Sequence, residues 1–311
     1  MAGGSLIDRV LDATPKPVEG TLRTAGAIAG DIAGALDPFD VIGNDVPEDP
    51  FDARDPEHIR RTLPALRAMN ELYFRAEVEG LDRIPARGPV LLVGNHSGGT
   101  LIADSFVFAE AFYAHFGPDR LFHQLAHDMV FQVPGARAMV SRYGTVPASP
   151  ENMQRSLREG GALLVYPGGD HESFRPSWES GKVDFAERTG FVKLALELEV
   201  PIVPVVAIGG QETAFFLGQG RGLAKRLGLD SSLRLKVLPA QIAPPWGLTF
   251  LDLPIRLPLP SKIKVSVLDP IDLQEELGPS PDPDEGYEFV TAAMQSELDG
   301  LSADRRVPVV G

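Results

Sequence analysis

The chain has 311 residues, 43% hydrophobic and 23% charged, enough to bury a sizeable core without covalent staples. It contains no cysteine, which excludes a disulfide framework, thiolate metal sites, iron–sulfur clusters and a cysteine nucleophile. Its formal charge of −14 argues against nucleic-acid binding, and any contact with an anionic membrane would need a local basic patch.

The first residues include Asp8, Arg9, Asp12 and Lys16 and no apolar run of signal-peptide length. No stretch of about 18 apolar residues occurs anywhere. The expectation is a cytoplasmic protein, peripheral at a membrane, with no signal peptide or transmembrane helix. Residues 1–56 read as an N-terminal arm and linker: an Ala/Gly-rich helix over Thr21 to Leu36, then an acidic, Pro-rich stretch. Composition fits an ordered arm packed on the core and a mobile tail equally. The main domain is expected over 57–311.

A helix is predicted from Pro56 to Glu77, with Leu63, Leu66, Met69, Leu72 and Tyr73 on one face. Short strand-like runs follow at 78–81, 89–93, 162–166 and 202–208, three of them ending in glycine or Pro-Gly-Gly. Helical segments lie between them at 101–116, 150–159 and 187–199. Further strands are expected at 233–238 and 263–268, and a last helix at 285–299. Strand and helix alternate, which predicts an α/β domain with a mixed, mostly parallel sheet flanked by helices and preceded by a helical arm.

The segment Gly94-Asn95-His96-Ser97-Gly98-Gly99-Thr100 sits where a buried strand gives way to a helix. Functional groups cluster just past the carboxyl ends of strands in open α/β sheets. A neutral imidazole there can take a proton from a hydroxyl attacking an acyl carbonyl, if a carboxylate orients its other nitrogen. Asp104 is the nearest carboxylate. In a continuous helix it would lie about 12 Å further along the axis. Gly98 and Gly99 would therefore have to fold His96 back over the first turn, with Thr100 as N-cap. His123 and His127 share a face only if helical, and the zinc-protease pattern would need Glu where Gln124 stands. No metal site is expected. No GxSxG elbow, P-loop or GxGxxG is present, which argues against a serine hydrolase and a nucleotide enzyme.

Asn95-His96 with Asp104 resembles the His/Asp motif of the glycerolipid acyltransferases, the superfamily of lysophosphatidate and mono-/diacylglycerol acyltransferases. The usual NHxxxxD spacing is four residues; here it is seven. Val165-Tyr166-Pro167-Gly168-Gly169-Asp170-His171-Glu172-Ser173 resembles the family's FPEGTRS block in the PGGxxE form of its neutral-lipid branch. The helix-to-strand block over 191–209 and the strand after Pro260 also match, so the resemblance covers residues 78–275. The second-motif arginine that holds an acceptor phosphate is replaced by Ala148 or Ser149.

The resemblance implies fatty acyl transfer from acyl-CoA or acyl carrier protein to a glycerolipid hydroxyl, with acyl-CoA as co-substrate and no cofactor. The acceptor would be a lysophospholipid, lysophosphatidate or a mono- or diacylglycerol. His96 would be the general base, assisted by Asp104. Asn95, Ser97, Gly98, Gly168, Gly169, Glu172 and Arg175 would line the substrate site. Arg175, Lys182, Arg188 and Lys193 supply local positive charge for a phosphate, or else solvated faces with partners such as Asp184 for Arg188. Two stretches suit a membrane surface: Phe215-Phe216-Leu217 before Arg221, Lys225 and Arg226, and Trp246 to Leu251. The competing readings are a non-catalytic lipid-binding protein on the same fold and a lipid ester or thioester hydrolase.

Overall fold

The structure, a computed structural model, describes residues 47–99, 102–132, 135–226, 238–243, 247–250, 252 and 257–305. The expected helix over 21–36, Thr100 and Trp246 fall outside these residues, as does nearly all of the strand expected over 233–238.

Pro47 to Asp55, grouped by composition with the linker, are packed onto the domain. Phe51 stacks edge-on against His123 with ring centroids 4.7 Å apart, and Asp49 pairs with Arg155 at 2.7 Å. Asp55 then caps helix α1 (Pro56–Leu72), accepting from the backbone N–H of Glu57 and His58, with Pro56 in the first turn. The helix stops before the expected Glu77. Phe74 turns into the core, Arg75 takes a positive φ of 45°, and Glu77–Glu79 form β1.

Then come β2 (Val90–Gly94), α2 (Ala103–Phe116), β3 (Phe122–Ala126), β4 (Thr145–Pro147), α3 (Pro150–Arg158), β5 (Ala162–Val165), α4 (Gly190–Leu198) and β6 (Ile202–Ile208). A small antiparallel sheet follows, made of β7 (Phe215–Gly218), β8 (Ala240–Ala243) and β9 (Gly247–Thr249). Strand β10 (Lys264–Val267) and helix α5 (Pro283–Ala303) complete the fold.

The main sheet has seven strands in the order β1-β10-β6-β2-β5-β3-β4. The run from β6 to β4 is parallel, β10 is antiparallel to β6, and β1 is parallel to β10. The sheet is therefore mixed and mostly parallel, as the alternation of elements predicts. Successive residues of β2 serve opposite layers. Val90 and Leu92 join Phe108, Phe112 and Phe122 on one face; Leu91 and Val93 join Phe191, Val192 and Met294 on the other. Both faces are covered, so the central strands read as unbroken apolar runs. β2 lies between β6 and β5, and its carboxyl end delivers Asn95 and His96 to the middle of the sheet.

Candidate functional site

Asn95 leaves β2 and imitates one more strand residue. Its amide donates to the Ala207 carbonyl at 2.9 Å and accepts from the Ala207 N–H at 2.7 Å, fixing the loop to β6. His96 is buried and stacks on the Tyr166 ring, centroids 4.3 Å apart and planes 26° apart. Its Nδ1 is buried with no hydrogen-bond partner among the described residues. Burial, with the Arg175 charge adding to it, holds the imidazole down to about 3. The ring is therefore neutral at physiological pH and keeps a free lone pair, as a proton acceptor requires.

Gly98 and Gly99 both lie at positive φ, 91° and 68°, and turn the chain back. A Cβ on Gly99 would fall 2.3 Å from Asp252 and 2.8 Å from the Phe216 ring, so only glycine fits that approach. Helix α2 starts at Ala103 with Ile102 as N-cap, two residues after the expected start at 101. The extra residues between His96 and Asp104 are absorbed in this way, and Asp104 returns onto the loop. It accepts from the Ser97 hydroxyl at 3.0 Å and from the Ser105 N–H at 2.8 Å. Burial pushes its carboxyl up to about 7 against the lowering pull of those bonds. Among the described residues Asp104 makes no hydrogen bond to His96 Nδ1. Ser97 links Asp104 to the loop. Tyr166, beneath His96, accepts from Ser105 at 2.7 Å, and the Asp104 charge adds to the burial that lifts its hydroxyl pKa.

Below the loop, Glu172 is fully buried. One oxygen accepts from the His96 N–H at 3.0 Å; the other accepts from Asp184 N–H and from the Arg175 guanidinium. Burial raises it to about 7, although Arg175 pulls it down. Arg175 also donates to the carbonyls of Glu172, Glu179 and Lys182. Most of its fork is thus spent inside the protein, and it serves as a clamp on Glu172, where the sequence suggested a substrate contact. Gln211 ties the two layers together, accepting from Gly98 N–H at 2.9 Å and donating to the Arg175 carbonyl at 2.6 Å.

Residues 75–208 match the family described as Acyltransferase. An "Uncharacterized protein" of Mycobacterium tuberculosis is 30% identical over 263 residues, 85% of this chain and 70% of the relative. The chain belongs to the acyltransferase family. The human "DGAT1/2-independent enzyme synthesizing storage lipids" is 30% identical over 129 residues, 42% of this chain and 38% of that protein. The solved structure of the 1-acyl-sn-glycerophosphate (LPA) acyltransferase PlsC from Thermotoga maritima shares the fold. Its TM-score is 0.51 at 18% identity, covering 81% of this chain and 84% of that one.

Other residues of the acyltransferase sequence have local duties. Ser149, one of the two positions, with Ala148, at which the resemblance places a phosphate-binding arginine, caps α3 by accepting from Asn152 N–H. His123 lies in β3 and shares a hydrogen bond with Ser156 at 2.8 Å. Arg188 pairs with Asp170 at 3.0 Å instead of Asp184, and donates to the carbonyls of Pro167 and Gly168, closing the turn after β5. Asp184 takes His171 at 2.9 Å. The Gly169 N–H is used within the same turn, donated to the Tyr166 carbonyl. Tyr166 and Gln211 are the functional neighbours that sequence reading missed. Both stand at the carboxyl ends of central strands, which is the one signal that marks them.

The cleft lined by Asn95, His96, Ser97 and Gln211 encloses about 10 Å³, room for one water. A cavity of about 320 Å³ lies across Arg175, lined by His171, Lys182 and Gln219. Gly168 packs against the glutamate: a Cβ there would sit 2.2 Å from Glu172 Cγ. Gly168→Ala is expected to cost about 1–3 kcal/mol by overpacking, read as a lower urea midpoint at unchanged slope, and to disturb the His96 backbone anchor.

Proposed function

We propose that this acyltransferase moves a fatty acyl group from a thioester, acyl-CoA or acyl carrier protein, to a glycerolipid hydroxyl, with a neutral acylglycerol as the favoured acceptor. The observation that carries this reading is the buried, neutral His96 with an unpartnered nitrogen at the end of the central strand. His96 accepts the acceptor's hydroxyl proton as the oxygen bonds to the thioester carbonyl carbon. The tetrahedral intermediate collapses, the C–S bond breaks, and the imidazolium returns its proton to the departing sulfur. The products are an ester and a free thiol. Asp104, held against the loop by the Ser97 hydroxyl, supplies negative charge near the transient imidazolium without a hydrogen bond to Nδ1.

Two observations favour the neutral acceptor. Ala148 or Ser149 stands where the resemblance places a phosphate-binding arginine, and Ser149 caps a helix instead. The human relative's name refers to storage lipids. A neutral acylglycerol resides in a bilayer, so the reading includes peripheral attachment to a membrane. Among the described residues no helix is long and apolar enough to cross one.

The test is thiol release from oleoyl-CoA with lysophosphatidate, lysophospholipid, monoacylglycerol or diacylglycerol present. The expected result is release that depends on an acylglycerol. Release without any acceptor would make the protein a thioesterase, and lipid binding without release would remove the catalytic reading. The pH profile adds a second check. His96 stays neutral above about 3, so it does not limit the rate between pH 5 and 8. Asp104 is protonated below about 7 and charged above it. The rate is therefore expected to rise with pH through about 7, and this rise should vanish in Asp104→Asn. A rise that survives there would be assigned to Glu172, which titrates in the same range.

A further inference from the structure

The small sheet of β7, β8 and β9 has an unusual outer face. Phe215, Ile242 and Leu248 are cross-strand partners in one row, 47%, 46% and 56% exposed. Leu217 and Phe250, two residues along, are exposed as well. The alternate residues Phe216, Gln241 and Ala243 are buried. An antiparallel sheet with one covered face normally turns polar residues to water on the other. Here both faces are apolar, and the two stretches flagged separately in the sequence become neighbours on one surface.

We propose that this face docks on a lipid bilayer containing anionic headgroups. Cations flank it. The short helix Arg221–Arg226 follows β7 and exposes Lys225 and Arg226, with Arg221 hydrogen-bonded to His171. That cluster stands out in a chain of charge −14, and it suits an anionic surface within a Debye length. The inner face packs on the site: Phe216 and Asp252 enclose Gly99, and Gln241 donates to Asp252 at 2.7 Å. A bilayer on the outer face thus lies one sheet thickness from the His96 loop. Exposed Trp178 sits on the 3-10 turn whose Ser177 accepts from Phe216 N–H. The proposal rests on the lipid acceptor read above.

The test is flotation of the full chain with vesicles of phosphatidylcholine, alone or mixed with phosphatidylglycerol, without acyl donor or acceptor. The wild type is expected to float, most strongly on the mixed vesicles, with its tryptophan fluorescence quenched by brominated lipid. A variant combining Phe215→Ser, Leu248→Ser and Phe250→Ser should partition about 100-fold more weakly with an unchanged thermal transition, since each half-exposed side chain contributes about fivefold. Lys225→Glu with Arg226→Glu should weaken only the binding to mixed vesicles. Wild-type protein that stays soluble on both vesicle types would overturn the proposal. So would a triple variant that floats like wild type, or a solution dimer that the triple substitution abolishes. Flotation without thiol release would instead overturn the proposed reaction and leave this surface standing. Acyl transfer to detergent-dispersed acceptor without flotation would do the reverse.

Discussion

His96→Ala is expected to lower acyl transfer by about 10²–10⁴-fold, the range for removing a positioned general base. That equals about 3–5 kcal/mol on the barrier. The structural cost should be smaller. The ring's described contact is its stack on Tyr166, and such pairs contribute about 0.5–1.5 kcal/mol. No ring hydrogen bond on Nδ1 is lost, because none is made among the described residues. The anchor of the loop to Glu172 runs through the backbone N–H, which alanine keeps. Activity should therefore collapse while the thermal transition and near-UV circular dichroism stay close to wild type. His96→Gln fills more of the site and cannot act as a base at neutral pH, so it should be equally inactive. Transfer within about tenfold of wild type in both variants would remove His96 from the chemistry.

The parts of this protein that were legible in the sequence are those fixed by local pattern. The buried strands announce themselves because both faces of the sheet are covered, leaving β2, β5 and β6 as short apolar runs closed by glycine. The helices carry their own start signals in Asp55, Ser149 and Asp282. His96 was legible because its loop follows a central strand. The partners of His96 were not, because they come from elsewhere in the chain. Tyr166 arrives from the end of β5 and Gln211 from beyond β6. The role of Arg175 also depends on tertiary context: beside a buried carboxylate it becomes a clamp, whereas on the surface it could have met a phosphate. The apolar face of the small sheet is a similar case. Phe215 and Leu248 are distant in sequence, and strand register alone aligns them through Ile242.

The spacing between His96 and Asp104 shows how a departure from a family pattern can be accommodated. Two glycines at positive φ and a late helix start take up the additional length. Asp104 is then returned to the first turn of α2, where it binds Ser97. The hydroxyl of Ser97 thus ties Asp104 back to the His96 loop.

The second large effect is expected at the buried pair beneath the loop. Glu172 and Arg175 are both buried, and the carboxylate also holds the N–H groups of His96 and Asp184. Glu172→Ala leaves a guanidinium in the interior without its countercharge. Breaking such a pair costs about 3–5 kcal/mol, a large share of the 5–15 kcal/mol typical of a folded domain. It also frees the His96 backbone, so activity should fall with stability. Urea unfolding at about pH 8 is the proper measurement, because burial raises Glu172 to about 7 and the carboxyl is then mostly ionised. Glu172→Gln should fall between alanine and wild type, since its one oxygen cannot serve both sides. Arg175→Met with Glu172→Gln removes both charges and should be destabilised by less than the sum of the two single substitutions, a non-zero coupling in their double-mutant cycle. Activity should not recover in that double variant, because the His96 N–H would face an amide that no longer offers two acceptor oxygens. A Glu172→Ala protein within about 1 kcal/mol of wild type would show that the pair is not what holds the His96 loop in place.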